Sequence, residues 1–590
     1  MTGSIASAFL QLRASDPQRR IFTFVDDSGA DRDSLTVEQL GQAAERVAGA
    51  LSGWGFAPGD RAILVYPPSL DFIEAFLGCL AAGVIPVPVY PPNPFKLRKD
   101  LATFSAIAEN AGARGILTTC AYDRSRSVAG VTTMFSRDTP SWPSLPWHRT
   151  DRLRDPAGPV DWHLPAGPDE PAFLQYTSGS TALPKGVIIS HGNLVHEVAA
   201  NAADLGLGPD TRGVFWVPQY HDLGLISVIL STIAGNSRTT LLSPLSFLQR
   251  PAVWFDVMSR VAATHTAAPN FAFELAVRKT TPEQRAGWDL RPLRAVMSAA
   301  EPIRQSTMDG FFTAFAGTGL TREAFFPAYG LAEHTVSVSM GGSAVLRLDR
   351  TALENGRAVP SEDPGAVTSV GCGRITKPDT TVRIVDPATG RPRGPDEVGE
   401  VWVDSPTKGI GYWGLPEQSR ETFHARLADG YEDGRRYLRT GDLGFFHGDE
   451  LFVTGRCKDL IIMCGRNLYP VDIEDSVRDC HPMVRPGGVA AFAVEVDGEE
   501  QLALFVEARR DRLSPTEVDE VIDAVRQRVY AEYQICCHAV VLGTAGLVRK
   551  TTSGKVRRLA CRQAYLSGDI AKAPGTLRVA VQRPDLTEVT

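Results

Sequence analysis

Short apolar runs alternate with helical patterns through much of the chain, and this alternation constrains the fold more than any other feature. Residues 37–55 place Leu40, Ala43, Val47 and Leu51 on one helical face. The run Arg61-Ala-Ile-Leu-Val-Tyr66 reads as a buried strand and 69–82 as a helix. Val84-Ile-Pro-Val-Pro-Val89 follows as a further strand before the turn Tyr90-Pro-Pro-Asn-Pro94. Strands that are apolar throughout are covered on both faces, which predicts α/β layers around parallel sheet. Residues 138–171 are rich in Pro and Asp and are predicted to form a long surface loop. From about residue 368 the pattern changes to short β-like runs between Gly and Pro turns: Val382-Arg-Ile-Val385, Gly399-Glu-Val-Trp-Val403 and Glu450-Leu-Phe-Val-Thr454. Beyond Gly455-Arg456 a compact αβ unit is expected, with its clearest helix over 515–533. There Ser514 is the N-cap, Pro515 takes N1 and Glu517 sits at N3. Val518, Val521, Ile522, Val525 and Val529 form its buried stripe. The last twenty or so residues are expected to fray.

The predicted class is therefore α/β: a large N-terminal domain, 1–455, of layered α/β subdomains plus a β-rich subdomain, and a small α+β C-terminal domain, 456–590. Composition agrees. At about 150 residues per domain, 590 residues make roughly four folding units. With 43% hydrophobic and 22% charged residues there is enough apolar area to offset chain entropy, which excludes bulk disorder. A net charge of −7 argues against a nucleic-acid partner held by bulk positive charge. The nine cysteines run from Cys79 to Cys561 without a Cys-x-x-Cys pair, a poor disulfide framework that points to a reducing compartment. The vicinal Cys536 and Cys537 are read as small core residues. No apolar run approaches the roughly 18 residues of a membrane helix. The N-terminus, MTGSIASAFLQLRASDP, lacks the charged start and apolar core of a signal peptide. A cytoplasmic protein without an integral membrane segment is expected.

The chemistry concentrates in Tyr176-Thr-Ser-Gly-Ser-Thr-Ala-Leu-Pro-Lys-Gly-Val187. Hydroxyls and bare backbone N–H groups are the donors a polyphosphate needs, glycine lets the backbone approach, and Lys185 adds charge. The spacing is not that of a Walker A loop. A six-residue piece of it alone would read as an ordinary Ser/Thr/Gly turn. The full string resembles the phosphate-binding loop of the adenylate-forming superfamily of acyl-CoA synthetases, adenylation domains and luciferases. Four further strings match that family in its order: Ala328-Tyr-Gly-Leu-Ala-Glu333, Arg439-Thr-Gly-Asp442, Gly455-Arg-Cys-Lys-Asp459 and Thr552-Ser-Gly-Lys555. The nearest likeness is to the fatty acyl-AMP ligases. It rests on Pro218-Gln-Tyr-His-Asp-Leu-Gly-Leu225, Cys464-Gly-Arg-Asn-Leu-Tyr-Pro470 with Asp472-Ile-Glu474, Lys555-Val-Arg-Arg-Leu-Ala-Cys-Arg562 and the turn Tyr90-Pro-Pro92. The long stretch 341–367 resembles the insertion of that family, held there to restrict domain movement and disfavour CoA as acceptor. His334 departs from the small residue common in relatives.

The resemblance implies an acid-activating enzyme that uses ATP and Mg²⁺. Lys555 would bridge the carboxylate and the α-phosphate, Glu333 would help hold Mg²⁺, and His221 would lie near the acyl carboxylate. Thr177, Ser178, Gly179, Ser180, Thr181 and Lys185 would cradle the phosphates. Ala300, Glu301 and Pro302, with Ala328, Tyr329 and Gly330, would form the adenine side, the first three chiefly through backbone. Asp442 would take the ribose hydroxyls, Arg456 would assist there, and Lys458 would mark a hinge for a mobile C-terminal domain. The implied substrates are a fatty acid, with a long chain by resemblance only, and the phosphopantetheine thiol of a separate acyl carrier protein. Two alternatives remain open from sequence: an acyl-CoA ligase, and a nucleotide-binding module without turnover. His196-Glu197 lacks the second histidine of a zinc motif, and no Gly-x-Ser-x-Gly elbow occurs at the phosphate loop.

Overall fold

The computed structural model describes residues 3–94, 100–133 (backbone only for 129–133), 142–177, 184–342, 344–463, 465–496, 499–551, 554–568, 570 and 575–581. The chain divides into two compact units. The first comprises 1–343, 372–383 and 402–440; the second comprises 344–371, 384–401 and 441–590. Segment 341–367 thus belongs mainly to the second unit.

The first unit is the expected α/β layering. A four-stranded parallel sheet orders Ile85–Pro88, Arg61–Leu64, Gly115–Thr118 and Trp147–Arg149. The helices Val37–Gly53 and Asp71–Ala81 follow the predicted spans within a few residues, and Leu40, Ala43, Val47 and Leu51 are buried. An eight-stranded sheet supplies the larger platform. Its central strands, among them Arg212–Phe215, His265–Ala268, Ala295–Ser298 and Phe325–Gly330, run parallel, and antiparallel strands close both edges. The antiparallel pair Pro171–Thr177 and Lys185–Ser190 takes Gly411–Tyr412 as its third strand.

The second unit holds the hairpin formed by Leu438–His447, from Gly441 onward, and Glu450–Arg456. Its four-stranded mixed sheet orders Val484–Val496, Glu499–Ala508, Cys537–Gly543 and Thr576–Val581. The helix Pro515–Tyr533 has the predicted Ser514–Glu517 capping box, and all five predicted stripe residues are buried. It packs in one apolar cluster with Leu502, Leu504 and Val506, whereas Phe505 and Ala503 belong to a cluster on the other face with Cys561.

Three expectations fail. Trp147–Arg149 is a strand inside the expected loop, added by backbone pairing at a sheet edge that needs no apolar pattern of its own. Thr576–Val581 is a paired edge strand rather than a frayed end, with Val541 opposite Val579. Cys536 is exposed and only Cys537, where the strand Cys537–Gly543 begins, is buried.

Candidate active site

In the first unit, the strand register sets Thr177 opposite Lys185 at the end of the Pro171–Thr177 and Lys185–Ser190 pair. The loop between them, which includes Ser178, Gly179, Ser180 and Thr181, lies outside the described residues. Tyr176 crosses beneath Gly186, where a Cβ would fall 2.7 Å from the ring, and its hydroxyl donates to Asn110 Oδ1 at 2.6 Å. Lys185 Nζ stands 4.7 Å from the centroid of the Tyr412 ring. The Tyr412 hydroxyl in turn donates to Glu333 Oε1 at 2.9 Å. Burial, and then the Glu333 carboxylate, push the Tyr412 pKa up, so the phenol keeps its proton and remains a donor. Two motifs far apart in sequence meet here through a tyrosine that neither contains. Loss of this donor in Tyr412→Phe should raise the apparent KM for ATP about tenfold or more, the worth of one hydrogen bond to a charged acceptor. Initial-rate kinetics check it.

Glu333 sits in a short turn that is held on two sides. Its carbonyl accepts from Gly409 N at 2.9 Å. His334 next to it is fully buried, with Nδ1 2.7 Å from the Ser337 carbonyl and Nε2 2.6 Å from Ser405 Oγ. Burial and then nearby Lys377 hold its pKa well below the ordinary imidazole value, so it stays neutral. His334 is therefore a pivot for the turn that carries Glu333. Behind it Lys377 pairs with Glu197, both buried, and donates to the Ser337 carbonyl.

Tyr329 lies opposite Ser339 in the sheet, and Gly330 lies against the neighbouring strand so closely that a Cβ would fall 1.7 Å from the Val336 carbonyl. Ala328 is buried beside them. Ala300 follows the strand Ala295–Ser298 with φ +73°, a left-handed conformation that costs a non-glycine residue about 1 kcal/mol or more. The Glu301 side chain accepts from Phe271 N in the first turn of the helix Asn270–Lys279 and so helps to cap it. His221 precedes an eight-residue π-helix, Leu223–Leu230. Its ring lies 4.8 Å from that of Tyr220, whose carbonyl accepts from Gln175 Nε2 at 3.1 Å. Gly224 lets the helix lie close against Pro218, since a Cβ there would meet the Pro218 carbonyl at 2.1 Å.

In the second unit, Asp442 and Arg456 face each other across the hairpin, with Nε 3.2 Å from Oδ1. Asp442 is 7% exposed. Gly441 donates to Glu400 Oε1 at 3.1 Å and adopts φ +72°. Lys458 is in the turn just after Arg456. Arg558 makes a two-pronged ion pair with Glu474, 2.7 Å on both arms, and reaches Asp459 at 2.8 Å. Burial disfavours its charge, but the two carboxylates outweigh that and raise its pKa. Just upstream, Lys555 donates its backbone N–H to Thr551 Oγ1 at 3.0 Å, its carbonyl accepts from Thr551 N at 2.8 Å, and Gly554 turns at φ +90°. Thr552 and Ser553 lie outside the described residues. Tyr412, Gly409 and Arg558 were not singled out from sequence for this site. Only Arg558 carried a signal there, inside the string that follows Lys555.

The AMP-binding enzyme family matches residues 11–413, and the AMP domain of the Disco-interacting protein 2-like type matches 458–574. The medium-chain-fatty-acid–acyl-carrier-protein ligase JamA of Moorena producens is 39% identical over 572 residues, 95% of each chain. The long-chain-fatty-acid–AMP ligase FadD26 of Mycobacterium tuberculosis is 36% identical, over 96% of this chain and 98% of its own. A fatty acyl-adenylate ligase from Legionella pneumophila, solved with acyl adenylate and pyrophosphate, is 33% identical with a TM-score of 0.72 over 98% of each chain. The chain belongs to the AMP-binding enzyme family, among its fatty acyl-AMP ligases.

Proposed function

We propose that the protein activates a fatty acid with ATP and passes the acyl group to the phosphopantetheine thiol of a separate acyl carrier protein. The observation that carries this reading is the Lys185–Tyr412–Glu333 array, which joins the phosphate-loop strand to the acidic residue of the second motif. A carboxylate oxygen attacks the α-phosphorus, the bond to the bridging β-phosphate oxygen breaks, and pyrophosphate leaves. The thiol then attacks the acyl carbon, loses its proton, and AMP departs with the former carboxylate oxygen. Catalysis of the first step is positioning plus charge stabilisation. Lys185 and the backbone and hydroxyl groups of 177–181 hold the β- and γ-phosphates. Tyr329, with the backbone of 300–302 and Ala328–Gly330, shelters the adenine. Asp442 accepts from the ribose hydroxyls, whose adjacent donors suit two carboxylate oxygens, and Arg456 steadies that carboxylate. His221 lies by the acyl carboxylate, and Lys555 spans it and the α-phosphate. The donor set fits magnesium, a hard cation that keeps waters and takes one or two carboxylates plus phosphates, and Glu333 supplies the carboxylate. Bound there, the ion would offset phosphate charge. Among the described residues no cluster of three His, Cys, Asp or Glu side chains offers an all-protein metal cage, in keeping with that sharing of ligands.

In this reading 456–590 moves about Lys458 between the two half-reactions. Segment 341–367 restrains it: in the helix Arg350–Glu354, Glu354 pairs with Arg466 at 2.8 and 3.0 Å, and the Arg350 guanidinium stands 4.5 Å from the Tyr533 ring centroid. Free thiols among the described cysteines, and the lack of any described helix able to cross a membrane, favour the cytoplasm.

The test is a product assay with a fatty-acid series, ATP and Mg²⁺, and either CoA or a holo carrier protein. Acyl-AMP should persist with CoA and be consumed by the carrier, and chelating the magnesium should abolish its formation. In Glu354→Gln, acyl-CoA formation should rise severalfold. Efficient acyl-CoA formation by the unaltered protein would contradict the assignment of acceptor.

A further inference from the structure

The strands Phe325–Gly330 and Ser337–Met340 pair as a hairpin in the first unit, and residues 331–336 between them carry Glu333. This connection is tightly wound. The short 3₁₀ turn Ala332–His334 ends at Thr335, which has φ +64° and ψ −66°. Across it Val336 N donates to the His334 carbonyl at 2.7 Å, so Thr335 is the centre of a γ-turn of the rare, strained hand. The residue is also β-branched and fully buried, and a positive φ suits such a side chain least. A conformation of this kind persists only where its surroundings over-determine it, and such strain clusters at functional sites.

The surroundings supply those restraints. Thr335 Oγ1 donates to the Thr407 carbonyl at 2.6 Å. His334 Nδ1 lies 2.7 Å from the Ser337 carbonyl, and a carbonyl only accepts, so Nδ1 carries the hydrogen. Ser337 itself is held at both of its backbone groups. Its N–H donates to Glu197 Oε1 at 3.2 Å, and its hydroxyl donates to the same oxygen. Its carbonyl accepts from Lys377 Nζ as well as from His334, and Lys377 Nζ also donates to Glu197. Side-chain exposure is 4% for Lys377 and 0% for Glu197, so the pair works wholly inside the protein. Glu197 lies in the helix His191–Asp204. About two turns further on, Asp204 accepts from Thr376 Oγ1 at 2.7 Å, which anchors the segment of Lys377 to the same helix. A buried ion pair is a weak source of stability, because desolvation offsets its attraction. What this pair supplies is a grip on one residue at the foot of a strained turn.

We propose that Lys377 and Glu197 are positioning residues: their pair clamps Ser337, keeps the turn at Thr335 wound, and so aims the Glu333 carboxylate at the magnesium ion that accompanies ATP. The inference rests on the reading of Glu333 as the carboxylate for that ion. Both residues are shut away from solvent, so they act through the turn. Released from the clamp, Thr335 relaxes toward negative φ, and the carboxylate two residues before it turns away. Groups that orient a metal's ligand without touching the metal are worth about 10- to 100-fold in its affinity.

The experiment is a calorimetric titration with α,β-methylene-ATP, which is not turned over, once with Mg²⁺ and once in EDTA. The first variant combines Glu197→Leu with Lys377→Met, which removes both charges together and strands neither. Its affinity for the nucleotide with Mg²⁺ should fall about tenfold, while its affinity in EDTA should stay within about twofold of the unaltered protein. A merely structural role would lower both alike. Glu197→Asp keeps both charges and shortens the reach by one methylene, and should weaken the binding with Mg²⁺ alone about threefold. An unmoved affinity with Mg²⁺, or an equal fall in EDTA, would overturn the proposal. Should the double variant not fold, Glu197→Asp decides by the same comparison. Failure of both to fold would also overturn it, because the pair would then determine the fold and not the aim of Glu333. Glu333→Gln tests the underlying reading separately: it should remove most of the gain in affinity that Mg²⁺ brings. A gain left intact in Glu333→Gln would overturn that reading, whereas a gain lost there but kept in the clamp variants would overturn the clamp alone.

Discussion

Lys555→Ala should lower acyl-AMP formation about a hundredfold or more while leaving the fold and ATP binding in place. The loop that carries Lys555 is built from backbone bonds to Thr551 and the left-handed turn at Gly554, none of which uses the lysine side chain. Truncation therefore leaves those bonds in place while it removes the ammonium group. A charge aimed at a developing transition state is worth on the order of 3 kcal/mol, about two decades in rate. Pyrophosphate release should fall, a calorimetric titration with ATP should change little, and the thermal midpoint should stay. A rate near that of the unaltered protein would show that charge neutralisation at the α-phosphate comes from elsewhere.

Arg558→Met should cost the second unit about 3–5 kcal/mol, because removing one partner of a buried ion pair strands the others. Arg558 has 15% side-chain exposure and Glu474 has 7%, and the lost guanidinium would leave Glu474 and Asp459 without their shared cation. Asp459 directly follows Lys458, and Arg558 starts the helix Arg558–Leu566 just beyond Lys555. One side chain therefore ties the segment of the proposed hinge to the segment of the proposed catalytic lysine. Denaturant unfolding followed by a probe in the second unit should report the loss. Turnover should fall even at temperatures where the variant remains folded, since Lys555 would no longer be held in register. A variant as stable as its parent would mean that the pair only offsets its own desolvation.

The elements that sequence marks well are those whose signals are local. Ser514, Pro515 and Glu517 define a helix start by hydrogen-bond chemistry alone, and the stripe from Val518 to Val529 defines its buried face. The runs near Ile63 and Val87 are legible because strands covered on both faces need unbroken apolar sequence. The candidate site is legible where a motif is continuous. What escaped depends on contacts between distant segments. Tyr412 matters because a two-residue strand pairs beside Val187, and nothing around Gly411 announces that pairing. His334 is a pivot only because Ser405 and Thr407 close over it. The edge strands Trp147–Arg149 and Thr576–Val581 are fixed by the sheets they join.

The most direct test of the account follows one oxygen atom. A fatty acid labelled with heavy oxygen in its carboxylate would be incubated with ATP, Mg²⁺ and holo carrier protein, and the released nucleotide examined by mass spectrometry. Attack on the α-phosphorus followed by transfer to the thiol predicts AMP carrying one labelled oxygen, unlabelled pyrophosphate and acylated carrier. Label in inorganic phosphate together with ADP, or unlabelled AMP, would contradict acyl adenylation as the chemistry of this site.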